Sequence, residues 1–218
     1  VTTPPGAGAR LSPAEKRRLV AARLAVQRAA GEPAVLPLSA QQRGIWFAEQ
    51  AAPGRTAYHI CRSIGIDGPL DADGLRGALA DLTTRHEALR TTFTVRDGVP
   101  LQQVARTSVP PLPVQQLDPD DPSALTRVVA AESERAFDLA AGPLLRCRLL
   151  RLAPTRHRLL LTLHHIIADG WTVGRLLRDL GELYAARTLG RAAELPTAAP
   201  YSAHALEHRA WLAGPQAT

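Results

Sequence analysis

The sequence predicts an α/β sandwich built on a mixed sheet, and three observations carry that prediction. Two apolar, β-prone runs, Leu144 to Leu152 and His157 to His165, are separated only by Ala153-Pro154-Thr155-Arg156, so they pair as a hairpin. Two further stretches repeat apolar residues at helical spacing: Leu75, Ala78, Leu79, Leu82 and Leu89, then Val173, Leu176, Leu177, Leu180, Leu183 and Tyr184. Helices and strands alternate through hairpins rather than regular strand-helix-strand units, which favours a mixed sheet covered by helices over a doubly wound parallel one.

Residues 1 to 10, VTTPPGAGAR, are rich in Pro and Gly and are expected to be disordered. Ser12-Pro13-Ala14-Glu15 is a capping-box pattern that opens an arginine-rich helix reaching about Ala30, and residues 1 to 34 are read as a terminus plus a linker or docking helix. Ser39 with Gln42 is a second capping box, opening a helix through Glu49 that Pro53-Gly54 ends. Tyr58 to Ile66 alternates as a half-buried strand, Asp71 caps the next helix, and Asp97-Gly98 sits between two β-prone runs as a hairpin turn. Pro110 to Pro122 is a connection with one short strand. Ser123 caps a helix carrying Leu125, Val128, Val129 and Phe137, and Asp169-Gly170 opens the long amphipathic helix. Residues 190 to 200 form a loop before a last helix from Tyr201 to Leu212.

With 218 residues, 45% of them hydrophobic, the chain has enough material for one substantial core. No run approaches the roughly 18 uninterrupted apolar residues of a membrane span, and there is no secretory leader pattern, so a soluble cytoplasmic protein is expected, with no membrane partner. The formal charge is +6, but all except one of the 26 basic residues are arginine, the exception being Lys16, and they are spread without interleaved aromatics. No nucleic-acid partner is expected. Cys61 and Cys147 lie in separate apolar runs, so neither a disulfide framework nor a zinc site is indicated, and both are read as buried free thiols.

Chemistry concentrates at Leu163-His164-His165-Ile166-Ile167-Ala168-Asp169-Gly170-Trp171. If the strand continues through this stretch, neighbouring histidines point to opposite faces of the sheet, so one enters a given cavity and no metal is held by the pair. Gly170 is expected to supply positive φ or a close backbone approach. A strand-end histidine with a carboxylate four residues on suits proton transfer or transition-state stabilisation. By itself the pattern also fits a buried structural histidine beside a helix-capping aspartate.

Two further segments raise the functional reading. Arg85-His86-Glu87-Ala88-Leu89-Arg90-Thr91-Thr92-Phe93 closely resembles the second core motif of nonribosomal peptide synthetase condensation domains. Ser39 to Trp46 resembles their first, and His164 to Trp171 their third, in family order. The fourth is looser, because Tyr201-Ser202-Ala203-His204-Ala205 keeps the tyrosine and the second alanine but lacks the usual aspartate and aromatic pair. Later family motifs are missing. The resemblance covers about residues 35 to 212, and residues 35 to 218 are read as the N-terminal lobe of such a domain.

The resemblance implies a chloramphenicol acetyltransferase-like lobe, one of two that form a V around a tunnel. It implies amide formation between a donor thioester and an acceptor amine, each tethered through phosphopantetheine to a donor or acceptor peptidyl carrier protein, with no cofactor bound directly. Carried over, His165 deprotonates the amine, or positions it and stabilises the tetrahedral intermediate. His164 faces away. Asp169 is structural and pairs with Arg90, or failing that Arg85, and backbone amides near Gly170 approach the oxyanion. Trp171, a large aromatic, is read as a core anchor in preference to a substrate contact. The C-terminal lobe is an expected partner, without which the chain is expected to be inactive. An epimerization-domain lobe and a noncatalytic carrier-docking lobe are the competing readings. A heterocyclization domain would carry aspartate where His164 stands, and no G-x-S-x-G elbow supports a serine hydrolase.

Overall fold

The apolar hairpin forms where its spacing predicts and becomes the centre of the main sheet. The computed structural model describes residues 33–118 and 120–212. Its strands are β1 (Ala34–Pro37), β2 (His59–Asp67), β3 (Thr91–Arg96), β4 (Val99–Val104), β5 (Val114–Gln116), β6 (Leu145–Ala153) and β7 (Arg156–His164). The helices are α1 (Ala40–Ala51), α2 (Ala72–Arg85), α3 (Ala124–Glu134), α4 (Gly170–Thr188) and α5 (Tyr201–Leu212), with a 3-10 turn over Glu87–Arg90. The disordered start and the helix expected up to about Ala30 lie outside the described residues.

The main sheet has the order β2-β7-β6-β5, antiparallel except for the parallel β5-β6 pair, so it is mixed as expected. Its faces separate by residue parity. Leu159, Leu161 and Leu163 of β7 join Leu75, Leu79 and Leu82 of α2 and Val173, Leu176, Leu180 and Leu183 of α4 in the principal core. Leu160 packs the other way, with Leu150, Leu117 and Ala124, under α3. Because both faces are covered, β7 reads as a continuous apolar run rather than a clean alternation. A second sheet, β1-β4-β3, was not foreseen: β1 is only four residues and ends in proline, too short to give a periodic signal.

Local chemistry explains most element boundaries. The Ser39 hydroxyl accepts from the Gln42 N–H at 3.1 Å and Gln42 Oε1 accepts from the Ser39 N–H at 3.0 Å, completing the expected capping box of α1. Asp97 and Gly98 take φ of 50° and 74°, the left-handed pair a two-residue hairpin requires. The start of α3 differs from expectation, since Ser123 makes no side-chain cap bond and instead donates its hydroxyl to Asp121 at 2.7 Å. Phe137 also falls beyond α3, which ends at Glu134; there its ring lies 3.8 Å beneath the Arg146 guanidinium.

One buried carboxylate ties α2 to α4. Asp179 sits on the inner side of α4, where its Oδ2 accepts from Arg85 Nε at 2.9 Å and from His86 Nε2 at 2.8 Å. Removing one partner of such a desolvated pair strands the other charge. Asp179→Asn is therefore expected to lower unfolding free energy in urea by about 3–5 kcal/mol. The exposed Asp81–Arg187 pair joins the same helices, and Asp81→Asn should cost less than about 1 kcal/mol. Equal losses would contradict this division of labour.

Candidate functional site

The last residues of β7 determine the site. His164 donates its backbone N–H to Leu144 O at 3.0 Å and His165 donates to Tyr58 O at 2.7 Å, so the chain stays bonded alternately to the strand on either side one residue past the end of β7. The two imidazoles consequently diverge. His164 is 1% exposed, while His165 is exposed and lines a groove of about 730 Å³. Among the described residues no three metal-ligating side chains converge.

His164 is sealed on the α3 side of the sheet, edge-on to the rings of Phe137 and His59. Its Nδ1 accepts from the Ile166 N–H at 3.2 Å, which leaves the neutral ring's proton on Nε2, facing Glu49 Oε1 at 3.5 Å. Burial, reinforced by the charges of His59 and His165, pushes the His164 pKa down to about 4. Burial raises that of Glu49, against a smaller lowering by His59.

The groove around His165 is built from several elements. Gln42, Gly44 and Ile45 of α1 form one wall, Thr172, Arg175 and Leu176 of α4 another, and Ala199, Pro200 and Tyr201 close a third side, with His86 beside them. The second motif holds these walls together. Arg85 and His86 grip Asp179 on α4, and Glu87 accepts the Ser202 N–H at the start of α5. Tyr201 is hydrogen-bonded to Ser39 at 3.0 Å, joining α5 to the cap of α1.

Asp169 caps α4, accepting from the Thr172 N–H at 2.7 Å and its hydroxyl at 2.6 Å. Those bonds, with a smaller contribution from His165, hold its carboxyl below the ordinary range. The expected ion pair is not formed: among the described residues Asp169 meets no arginine. Arg85 is taken by Asp179, and Arg90 donates to the carbonyls of Thr83 and Ala105. The reason is geometric, since the second motif faces α4 at Asp179, well along the helix from its cap.

Two other expectations change. Gly170 opens α4 without positive φ, and a Cβ there would meet nothing within 4 Å, so no close approach among the described residues requires glycine. It lies between the groove-lining Asp169 and Thr172 rather than in the wall itself. Trp171 is 91% exposed rather than a core anchor, because the phase that buries Val173 and Leu176 turns it outward. Asp179, Glu87 and His86 were given no role from sequence. Asp179 carried a readable signal, an acidic residue beside Leu176, Leu180 and Leu183 on the apolar stripe of a helix. Of the cysteines, Cys147 is buried as expected, with its thiol pushed up to about 12, and Cys61 is half-buried.

A buried base with a lowered pKa binds its proton more readily in the unfolded chain. Its stabilising contribution is present at neutral pH and is lost as pH falls from the ordinary histidine value of 6.5 toward about 4. The stability deficit of His164→Gln relative to the parent should therefore be largest above pH 6.5 and shrink toward pH 4 in urea titrations. A deficit that grows on acidification would contradict a neutral buried His164.

The sequence matches the family described as Condensation domain over residues 33–217. It is 41% identical over 202 residues, 86% of its length, to phosphinothricin tripeptide synthetase PhsC of Streptomyces viridochromogenes. It is 39% identical over 185 residues, 84% of its length, to a dimodular nonribosomal peptide synthase of Bacillus subtilis. It spans only 18% and 8% of those two proteins. Among solved structures it is similar to the starter condensation domain of rhizomide synthetase RzmA, with a TM-score of 0.75 and 26% identity, covering 82% of this chain and 45% of that one. It also resembles the X-domain solved in complex with OxyB from teicoplanin biosynthesis, at TM-score 0.73 and 30% identity, covering 82% of this chain and 39% of that one. With the family matched across nearly all the described residues, on a fold shared with its solved members, the chain belongs to the condensation-domain family of nonribosomal peptide synthetases.

Proposed function

We propose that this chain forms one wall of an acyltransferase site that joins a donor thioester to an acceptor amine, with His165 as the catalytic residue. The observation that carries this reading is the divergence of the two histidines, which leaves His165 exposed in a groove while its neighbour is sealed. Each substrate arrives on the phosphopantetheine arm of a peptidyl carrier protein. The acceptor nitrogen attacks the thioester carbonyl, a C–N bond forms, the C–S bond breaks, and the thiolate leaves protonated. His165 takes the amine proton, or holds the amine by a hydrogen bond while the intermediate forms. The N–H groups of Gly170 and Trp171, in the first turn of α4, have no carbonyl behind them in a helix and are available to a developing oxyanion.

A second lobe supplies the facing wall. The groove is open to solvent, and alignment of two reactants between walls accounts for about 7–11 kcal/mol of a barrier. Exclusion of water also protects the thioester from hydrolysis. That no arginine among the described residues meets Asp169, together with the exposure of Trp171 and the open space at Gly170, supports a face that another surface covers.

The test is amide formation between two loaded carrier proteins, run with the two-lobed domain and with this chain alone. The two-lobed protein should turn over, and His165→Ala should cut its rate by roughly 100-fold or more. The chain alone should be inactive. Full turnover by the chain alone would remove the need for a second wall, and an active His165→Ala domain would leave a carrier-docking role in place of catalysis.

A further inference from the structure

Arg175 brings to the groove a cation that no hydrogen bond or ion pair among the described residues neutralises. Arg175 stands four residues before Asp179 on α4, the spacing at which an arginine and an aspartate ordinarily pair. Asp179 is turned inward instead, 6% exposed, and its carboxylate is taken by Arg85 and His86. Arg175 makes no hydrogen bond or ion pair among the described residues, and its side chain is exposed on the groove wall. Asp169 is the only carboxylate among the described groove-lining residues, and it is engaged by the N–H and hydroxyl of Thr172.

The surroundings sharpen the mismatch. Ile45, Ala88, Ile166, Ile167 and Leu176 line the same groove and supply apolar surface but no acceptor side chain. His86, which also lines the groove, is held toward its neutral form chiefly by burial, and Arg175 adds to that effect. An arginine in this position presents a planar fork of donors with no acceptor of its own side to bind.

We infer that Arg175 is an oxyanion-binding subsite that selects a donor or acceptor substrate carrying a second acid group, a carboxylate or an acid of similar shape, beside the group that reacts at His165. The inference rests on the reading of the groove as an acyl-transfer site. The acid is assigned to the substrate rather than to the carrier arm because Arg175 shares one groove with His165. The arm's phosphate lies at the far end of the extended pantetheine from the thioester.

The test is calorimetric or NMR titration of the 218-residue chain with glutaryl-pantetheine, its uncharged carboxamide analogue, pantetheine and phosphopantetheine. The carboxylate probe should bind about tenfold more tightly than its amide, the strength of one charge-assisted pair. Arg175→Gln should bring the two within about twofold, and Arg175→Lys should retain part of the preference. Because Arg175 is exposed and unpaired, these replacements leave the core intact, which circular dichroism checks. His165→Ala should keep the carboxylate preference, so a failure of the catalytic reading is distinguishable from a failure of this one. A preference that survives Arg175→Gln would overturn the subsite. So would an Arg175-dependent preference for phosphopantetheine over pantetheine with none for glutarate over its amide, since the occupant would then be the arm.

Discussion

Everything at the site depends on the two-residue alternation of β7 persisting for one residue beyond the strand. The backbone bonds of His164 to Leu144 and of His165 to Tyr58 hold the chain on both sides at the point where it leaves the sheet. With that constraint, two chemically identical rings enter different dielectric environments. One loses its ability to carry a proton near neutrality, and the other keeps access to solvent. A register slip of one residue would exchange the two environments without changing the composition.

The rest of the fold supplies walls around that point. α2 and α4 cover one face of the sheet and bring the first turn of α4 beside His165, while α3 covers the opposite face and seals His164. The second motif is mainly a staple: Arg85 and His86 converge on Asp179, and Glu87 holds the start of α5. Buried ionic groups of this kind are weak contributors to net stability but costly to break singly. Their effect here is to hold three helices in one arrangement around the groove.

Much of this was legible in the amino-acid sequence. The capping box at Ser39, the hairpin turn at Asp97-Gly98, the β6-β7 hairpin and the phase of α4 each have local causes, and local causes leave local patterns. The opposite directions of His164 and His165 followed from the pleat alone. What escaped was long-range. Which carboxylate Arg85 would meet depended on how α2 packs against α4, so Asp169, prominent in its motif, was expected where Asp179 stands. Hydrophobicity alone places Trp171 in the core, but its position on the side of α4 opposite Val173, Leu176 and Leu180 turns it outward. The short β1 carried too few residues to display a period.

The pleat presents His165 to the groove and hides His164, and the proposed chemistry of His165 rests on that division. Histidine-selective acylation of the folded two-lobed domain by diethyl pyrocarbonate, mapped by tandem mass spectrometry alongside the condensation rate, tests it most directly. The account predicts that His165 is modified, that His164 stays protected until the chain unfolds, and that activity is lost in step with His165 modification and spared by bound substrate. Modification of His164 in the folded protein, or full activity after complete modification of His165, would contradict it.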